Sequence, residues 1–219
     1  MGYSDEVIQR NVLEQLKWDA RVAPNEIGVT VKGGVVTLVG SIDSYWKKWN
    51  AEEIALKVAG VKAVANELEV KLPSSAERTD ADIARAIALT LEYAPDVSSS
   101  VKAVVNDGWV TLTGEVDWNY QREAAERRVR DVTGVKGVIN KITLKATPRP
   151  QVEDIKHRIE QALLRTAETD AKNIQVITED GRVILKGKVH SWNEKQEAKI
   201  EAWLAPGVRD VVDELQIVN

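Results

Sequence analysis

Apolar positions recur along this chain in three blocks, and each block runs through the same succession of periods. Every block opens with residues four apart: Ile8, Val12 and Leu16; Ile83, Ile87 and Leu91; Ile155, Ile159 and Leu163. That spacing places three side chains on one stripe of a helix about three turns long. The period then falls to two. Ile27, Val29 and Val31, then Val101, Ala103 and Val105, then Ile174 and Val176 predict strands that run into Gly33-Gly34, Asp107-Gly108 or Asp180-Gly181. These dipeptides suit a two-residue hairpin turn, so a returning strand is expected at once.

The returning strand alternates as Val36, Leu38, Gly40, Ile42, with Val110, Leu112, Gly114, Val116 and Val183, Leu185, Gly187, Val189 in the other blocks. A glycine weakens a strand, so its recurrence on the inward face predicts a steric cause: a helix crossing too closely for a Cβ, with a bulge as the competing explanation. A second helix carries Ala51, Ala55, Val58; Ala125, Val129, Val132; and Ala198, Ala202, Ala205, small residues suited to close packing on a sheet. Gly60-Val61, Gly134-Val135 and Gly207-Val208 follow, read as left-handed helix caps. A last strand alternates Val64, Leu68, Val70; Val138, Ile142, Leu144; and Val211, Leu215, Ile217.

The glycine triplets fix the register: Gly34, Gly108, Gly181; Gly40, Gly114, Gly187; and Gly60, Gly134, Gly207 each stand 74 and 73 residues apart. The expected fold class is α+β, with three tandem α-β-β-α-β two-layer modules, each a three-stranded sheet with two helices on one face. The modules span 4–71, 80–145 and 151–218, with linkers at 72–79 and 146–150. Thr-Pro-Arg-Pro is expected to stiffen the second linker, while the first, with two serines, is expected to flex more. Thr37, Thr111 and Lys186 fall on the sheet face away from the helices, which stays wet unless something covers it. A module of about 70 residues buries only roughly 60% of its unfolded surface, so contact between copies is expected.

The leading helix, the hairpin turning on glycine, the Val-x-Leu-x-Gly-x-Val strand and Gly-Val-x-x-Val-x-Asn together resemble the BON domain. The middle copy carries the resemblance most specifically, from Asp107-Gly-Trp-Val-Thr-Leu-Thr-Gly-Glu-Val to Val132-Thr-Gly-Val-Lys-Gly-Val-Ile-Asn-Lys-Ile, and copy three has Asp213 for the asparagine at 66 and 140. The resemblance implies a bacterial protein of osmotic stress or the cell envelope that binds phospholipid surfaces or partner proteins and does not catalyse.

Composition narrows the partners. With 43% hydrophobic and 29% charged residues the chain has apolar side chains enough for a core and charge enough for solubility. Its net charge of −4 is spread over the copies without a basic stretch, so nucleic acid is not expected as a partner. There is no cysteine, which removes disulfides and thiolate chemistry. Met1 to Glu6 lacks the pattern of a secretory signal, so a cytoplasmic location is expected, or a periplasmic one if a leader preceded this chain.

Nothing in the sequence motivates an enzyme, a cofactor or a metal. His157 and His190 have no histidine counterparts in the other copies, and Asp107 and Asp180 are explained by turn geometry. One constellation stands out. The segment between the second strand and the second helix, read as an exposed loop, carries Tyr45 and Trp46, Trp118 and Tyr120, and Trp192. Lys47, Lys48, Arg122 and Lys195 accompany them, with Trp49 nearby, a mixture that suits a lipid headgroup boundary. The competing reading packs these rings at module ends or in a joint between modules. Ser191 and Glu194 form a capping-box pattern that places Trp192 in a helix's first turn. Trp18 and Trp109 read as local contacts. The expected function is thus peripheral binding to a membrane phospholipid surface, or alternatively to a protein partner as a scaffold or chaperone. Assembly into an oligomer through an exposed strand edge stays open.

Overall fold

The computed structural model describes residues 3–20, 22, 27–145, 152–165 and 173–218. Copy one runs α1 (Asp5–Trp18), β1 (Ile27–Lys32), β2 (Val35–Ile42), α2 (Tyr45–Leu56) and β3 (Ala63–Val70). After a single 3-10 turn at Ser74–Ala76, copy two runs α3 (Asp80–Glu92), β4 (Lys102–Asn106), β5 (Trp109–Thr113), β6 (Glu115–Val116), α4 (Asn119–Arg130), β7 (Gly137–Asn140) and β8 (Thr143–Leu144). Copy three has α5 (Val152–Arg165), β9 (Ile174–Glu179), β10 (Arg182–Val189), α6 (Trp192–Leu204) and β11 (Asp210–Ile217). The succession is the one that the periodicity predicts. Residues 3–144 form one compact unit and residues 145–219 belong to another.

In each copy the hairpin's second strand is central: β2 pairs antiparallel with β1 and parallel with β3, as β10 does with β9 and β11 and β5 with β4 and β7. The parallel pair needs a crossover, and the second helix supplies it. Ile8, Val12 and Leu16 are fully buried against the sheet, as are Ile83 and Ile87 and, in copy three, Ile159 and Leu163. Each such side chain contributes roughly 1.5–3 kcal/mol relative to its exposed state. Helix α1 also reaches the hairpin. Asp5 accepts hydrogen bonds from the turn amides of Gly33 and Gly34 at 2.7 and 3.0 Å, and Asp80 accepts from Asp107 and Gly108 at 2.8 and 2.9 Å. The register of the first helices puts Val152 at that place in copy three.

Two expectations about glycine need correction. Gly114 and Gly187 are not crossed by a helix: a Cβ on Gly114 would lie 2.5 Å from the Ser100 carbonyl oxygen, and one on Gly187 would collide with the Asn173 carbonyl. The crowding at these two comes from the backbone leading into β4 and β9, and φ is +130°, +133° and +135° at Gly40, Gly114 and Gly187, a region that side chains avoid. In copy two this kink divides the central strand into β5 and β6, and β6 pairs with β8 as a separate ladder. Gly60, Gly134 and Gly207 lie beyond the helix ends, whose caps are Lys57, Asp131 and Ala205. At Gly60 and Gly134 the role is close approach: a Cβ on either would come within 2.9 Å of Ile8 or Ile83 Cδ1.

Candidate binding surface at the strand-to-helix corner

The aromatic corner is not a loop. Helices α2, α4 and α6 begin at Tyr45, Asn119 and Trp192, so Tyr45, Trp46, Tyr120 and Trp192 occupy first turns and Trp118 is itself an N-cap. Serine explains the early start: Ser44 Oγ accepts from the Lys47 amide at 3.4 Å and Ser191 Oγ from the Glu194 amide at 3.1 Å. Glu194 reaches one residue beyond a capping box, accepting from the His190 amide at 2.6 Å. Where Trp118 replaces the serine, Gln121 Oε1 accepts from the amides of Asp117 and Trp118 at 3.0 and 3.1 Å.

Copies one and two meet through this corner. Tyr45 packs against the hydrophobic core of copy two, and burial pushes its phenol above the ordinary tyrosine range against a backbone hydrogen bond at Val138. One turn on, Trp49 lies under the Arg130 guanidinium, 3.8 Å from ring centroid to Cζ. Arg130 is 8% exposed and pairs with Glu126 at 3.1 Å, so the contact is a desolvated cation–π pair. Trp46 lines an adjacent cleft of about 490 Å³ with Leu72 and Asp131. Desolvation raises the Asp131 carboxyl above its usual range despite Arg130 and Arg127. The looser first joint expected from the linker serines is therefore packed by side chains outside the linker.

The equivalent rings do other things elsewhere. Trp118 and Tyr120 stay 43% and 55% exposed, while Trp192 is half-buried with its Nε1 buried and unpartnered among the described residues. The cations hold the modules together internally. Lys47 pairs with Asp43 at 2.7 Å. Lys48 Nζ donates to the Leu68 carbonyl and Lys195 Nζ to the Leu215 carbonyl, both at 2.7 Å, tying the second helix to the last strand. Arg122, in the same register, is half-buried, and its carbonyl accepts from Asn140 Nδ2 at 3.1 Å.

Sequence reasoning set Trp18 aside as a local contact and passed over Tyr93. Trp18 and Tyr93 are the most exposed large aromatic side chains, at 85% and 79%, and they end α1 and α3 at the same register. Aligning the first helices by Ile8 and Ile83 would have paired them. Among the described residues no group of three His, Cys, Asp or Glu side chains is placed to hold a metal ion, and no helix is long and apolar enough to cross a membrane.

Three consecutive hairpin-and-crossover modules of this pattern define a tandem-repeat α+β protein. The BON domain matches residues 4–71, 79–146 and 151–219, and the chain belongs to the BON domain family. No curated protein matches it. Among solved structures, the C-terminal domain of CdsD, described as the structural protein of the type III secretion system of Chlamydia trachomatis, aligns over 100% of both chains with 11% identity and a TM-score of 0.28. A second CdsD structure from Chlamydia trachomatis covers 95% of this chain and 91% of its own at 12% identity and the same TM-score.

Proposed function

We propose that this chain is a non-enzymatic scaffold that binds protein partners, with copies one and two acting as one rigid platform. The observation that carries this reading is the fate of the aromatic and basic corner. Tyr45 and Trp49 are consumed in the joint, and Lys47, Lys48 and Lys195 are committed to acceptors within their own modules. A membrane-seating surface needs rings and cations available to headgroups, and here the cations already have partners. Repetition of a module on one chain favours recognition by several weak contacts whose linkage raises avidity.

A second reading keeps the phospholipid surface and moves the contact to Trp118 and Tyr120, the corner rings that stay more than one-third exposed. Cosedimentation with anionic and neutral vesicles separates the two. The scaffold reading expects the wild type to stay in the supernatant with both. Salt-sensitive sedimentation lost in a Trp118→Ala, Tyr120→Ala variant would overturn it in favour of lipid.

A further inference from the structure

The first helices differ between copies at two places that decide whether the edge of the sheet is covered. In copy one Gln9 Nε2 donates to the Val29 carbonyl of β1 at 2.8 Å, and Leu13, one turn on, packs half-buried against the core of the copy. That bond marks the backbone groups of Val29 as outward-facing, as the two-residue hairpin requires for alternate residues of β1. The same register puts Ala84 and Ala88 in copy two, and Lys156 and Glu160, paired at 3.7 Å, in copy three. Only copy two has small apolar residues at both places.

The consequence is a groove of about 500 Å³ between α3 and β4. Ala84, Ala88 and Leu91 form its helical wall, and Val101 and Ala103 its strand wall. Ala103 and Val105 pair with Leu112 and Val110, the counterparts of the Val29–Leu38 and Val31–Val36 pairs, so their amides and carbonyls point away from β5 along the free edge of the sheet. Alanine at 84 leaves Ala103 without the side-chain donor that Val29 has. Beside this edge, Val104 is 64% exposed on the opposite sheet face. Lys102 and Glu92 stand on the groove's rim, and neither has an ion pair among the described residues.

We infer that this groove takes an extended peptide from a partner protein, which adds a strand to β4. An unpaired strand edge asks for backbone donors and acceptors, which a peptide supplies and an acyl chain does not. Alternate side chains of the added strand enter the groove over Ala84 and Ala88 or lie beside Val104, so aliphatic residues are favoured on both faces. Lys102 and Glu92 add complementary ends, an acidic residue for the first and a basic one for the second. The inference rests on the protein-binding reading and names one site for it.

The test selects displayed random octapeptides on the intact chain and measures their affinity for the wild type and for Ala84→Gln, Ala88→Leu, which installs the copy-one residues that the fold already accommodates. Enriched peptides with alternating aliphatic residues should lose at least about tenfold in affinity on the filled variant. They should also slow hydrogen exchange at the Ala103 and Val105 amides. A second variant, Ala103→Pro, removes an outward donor without touching the bonds to β5 and should weaken the same peptides. Peptides that bind the filled variant equally well, or no enrichment of any peptide, overturn the groove and leave the scaffold reading to be decided by the vesicle assay. Self-association of the wild type abolished by the filling pair, or binding of decanoate in place of peptide, would assign the groove to a second copy or an acyl chain and overturn the peptide.

Discussion

Asn66 Nδ2 donates to Glu52 Oε2 at 3.0 Å, joining the middle of β3 to the second turn of α2. The same amide reaches the Lys48 carbonyl at 3.1 Å, and Asn66 Oδ1 accepts from the Leu68 amide at 3.3 Å. Asn140 repeats the arrangement with Glu126 at 3.1 Å. In copy three Asp213 stands for the asparagine and Lys199 for the glutamate, 3.9 Å apart, with Lys195 at 3.2 Å from the same carboxylate. The donor and acceptor have changed sides, and the link is kept.

This exchange predicts a charge-reversal rescue. Asn66→Asp alone sets a carboxylate against Glu52 at a half-buried position and should cost about 0.5–1.5 kcal/mol, the net worth of the hydrogen bond lost. Adding Glu52→Lys should recover most of the loss, as read in the unfolding midpoint of the full chain. Equal stability of the single and double variants would contradict the pairing.

The joint predicts coupling between Trp49 and Arg130. Each single alanine substitution should lower stability, and the double-mutant cycle should return about 1–2 kcal/mol of interaction for a desolvated cation–π contact. Additive single effects would show that the two residues do not act on each other.

Gly114→Ala should destabilise copy two by about 1–3 kcal/mol through backbone strain, before the collision with the Ser100 carbonyl is added. The substitution separates the two accounts of this glycine. If a helix crossing were the cause, shortening a helix side chain would relieve it, but here only movement of the β4 end can.

Asp96 gives a pH signature. The hydrogen bond from Arg128, with Nη2 at 2.7 Å, holds its carboxyl below the usual aspartate range. A depressed folded value adds stability that is complete above the unfolded pKa of about 3.9 and disappears as pH falls through the lower folded value. Asp96→Asn should therefore melt earlier than wild type at neutral pH, and the difference should vanish in strong acid. A gap independent of pH would mean that Asp96 acts through its shape alone.

The module was legible because one-sided burial writes period four and period two directly into Ile8, Val12, Leu16 and Val36, Leu38. Turn glycines were legible as well, since among the described residues only they and the aspartates before them take φ near +50° to +80°. Partners in space were not. Gly114 looked like a helix contact because a sequence does not say which neighbour crowds it: the Ser100 carbonyl does. Gly137 carried no signal at all, yet the Trp109 ring lies where its Cβ would be. The corner aromatics were found by repetition, but their use was hidden: Tyr45 and Trp49 meet residues of copy two more than seventy positions away, and Ser44 turns the supposed loop into a helix start.

The most direct measurement is hydrogen exchange of the intact chain, with and without anionic vesicles, compared with a Tyr45→Ala, Trp49→Ala variant. The joint account predicts that vesicles leave residues 43–50 unchanged and that the variant exchanges faster both there and at 126–138. Protection of 43–50 by vesicles, with 126–138 indifferent to the substitutions, would return the corner to the membrane and contradict the account.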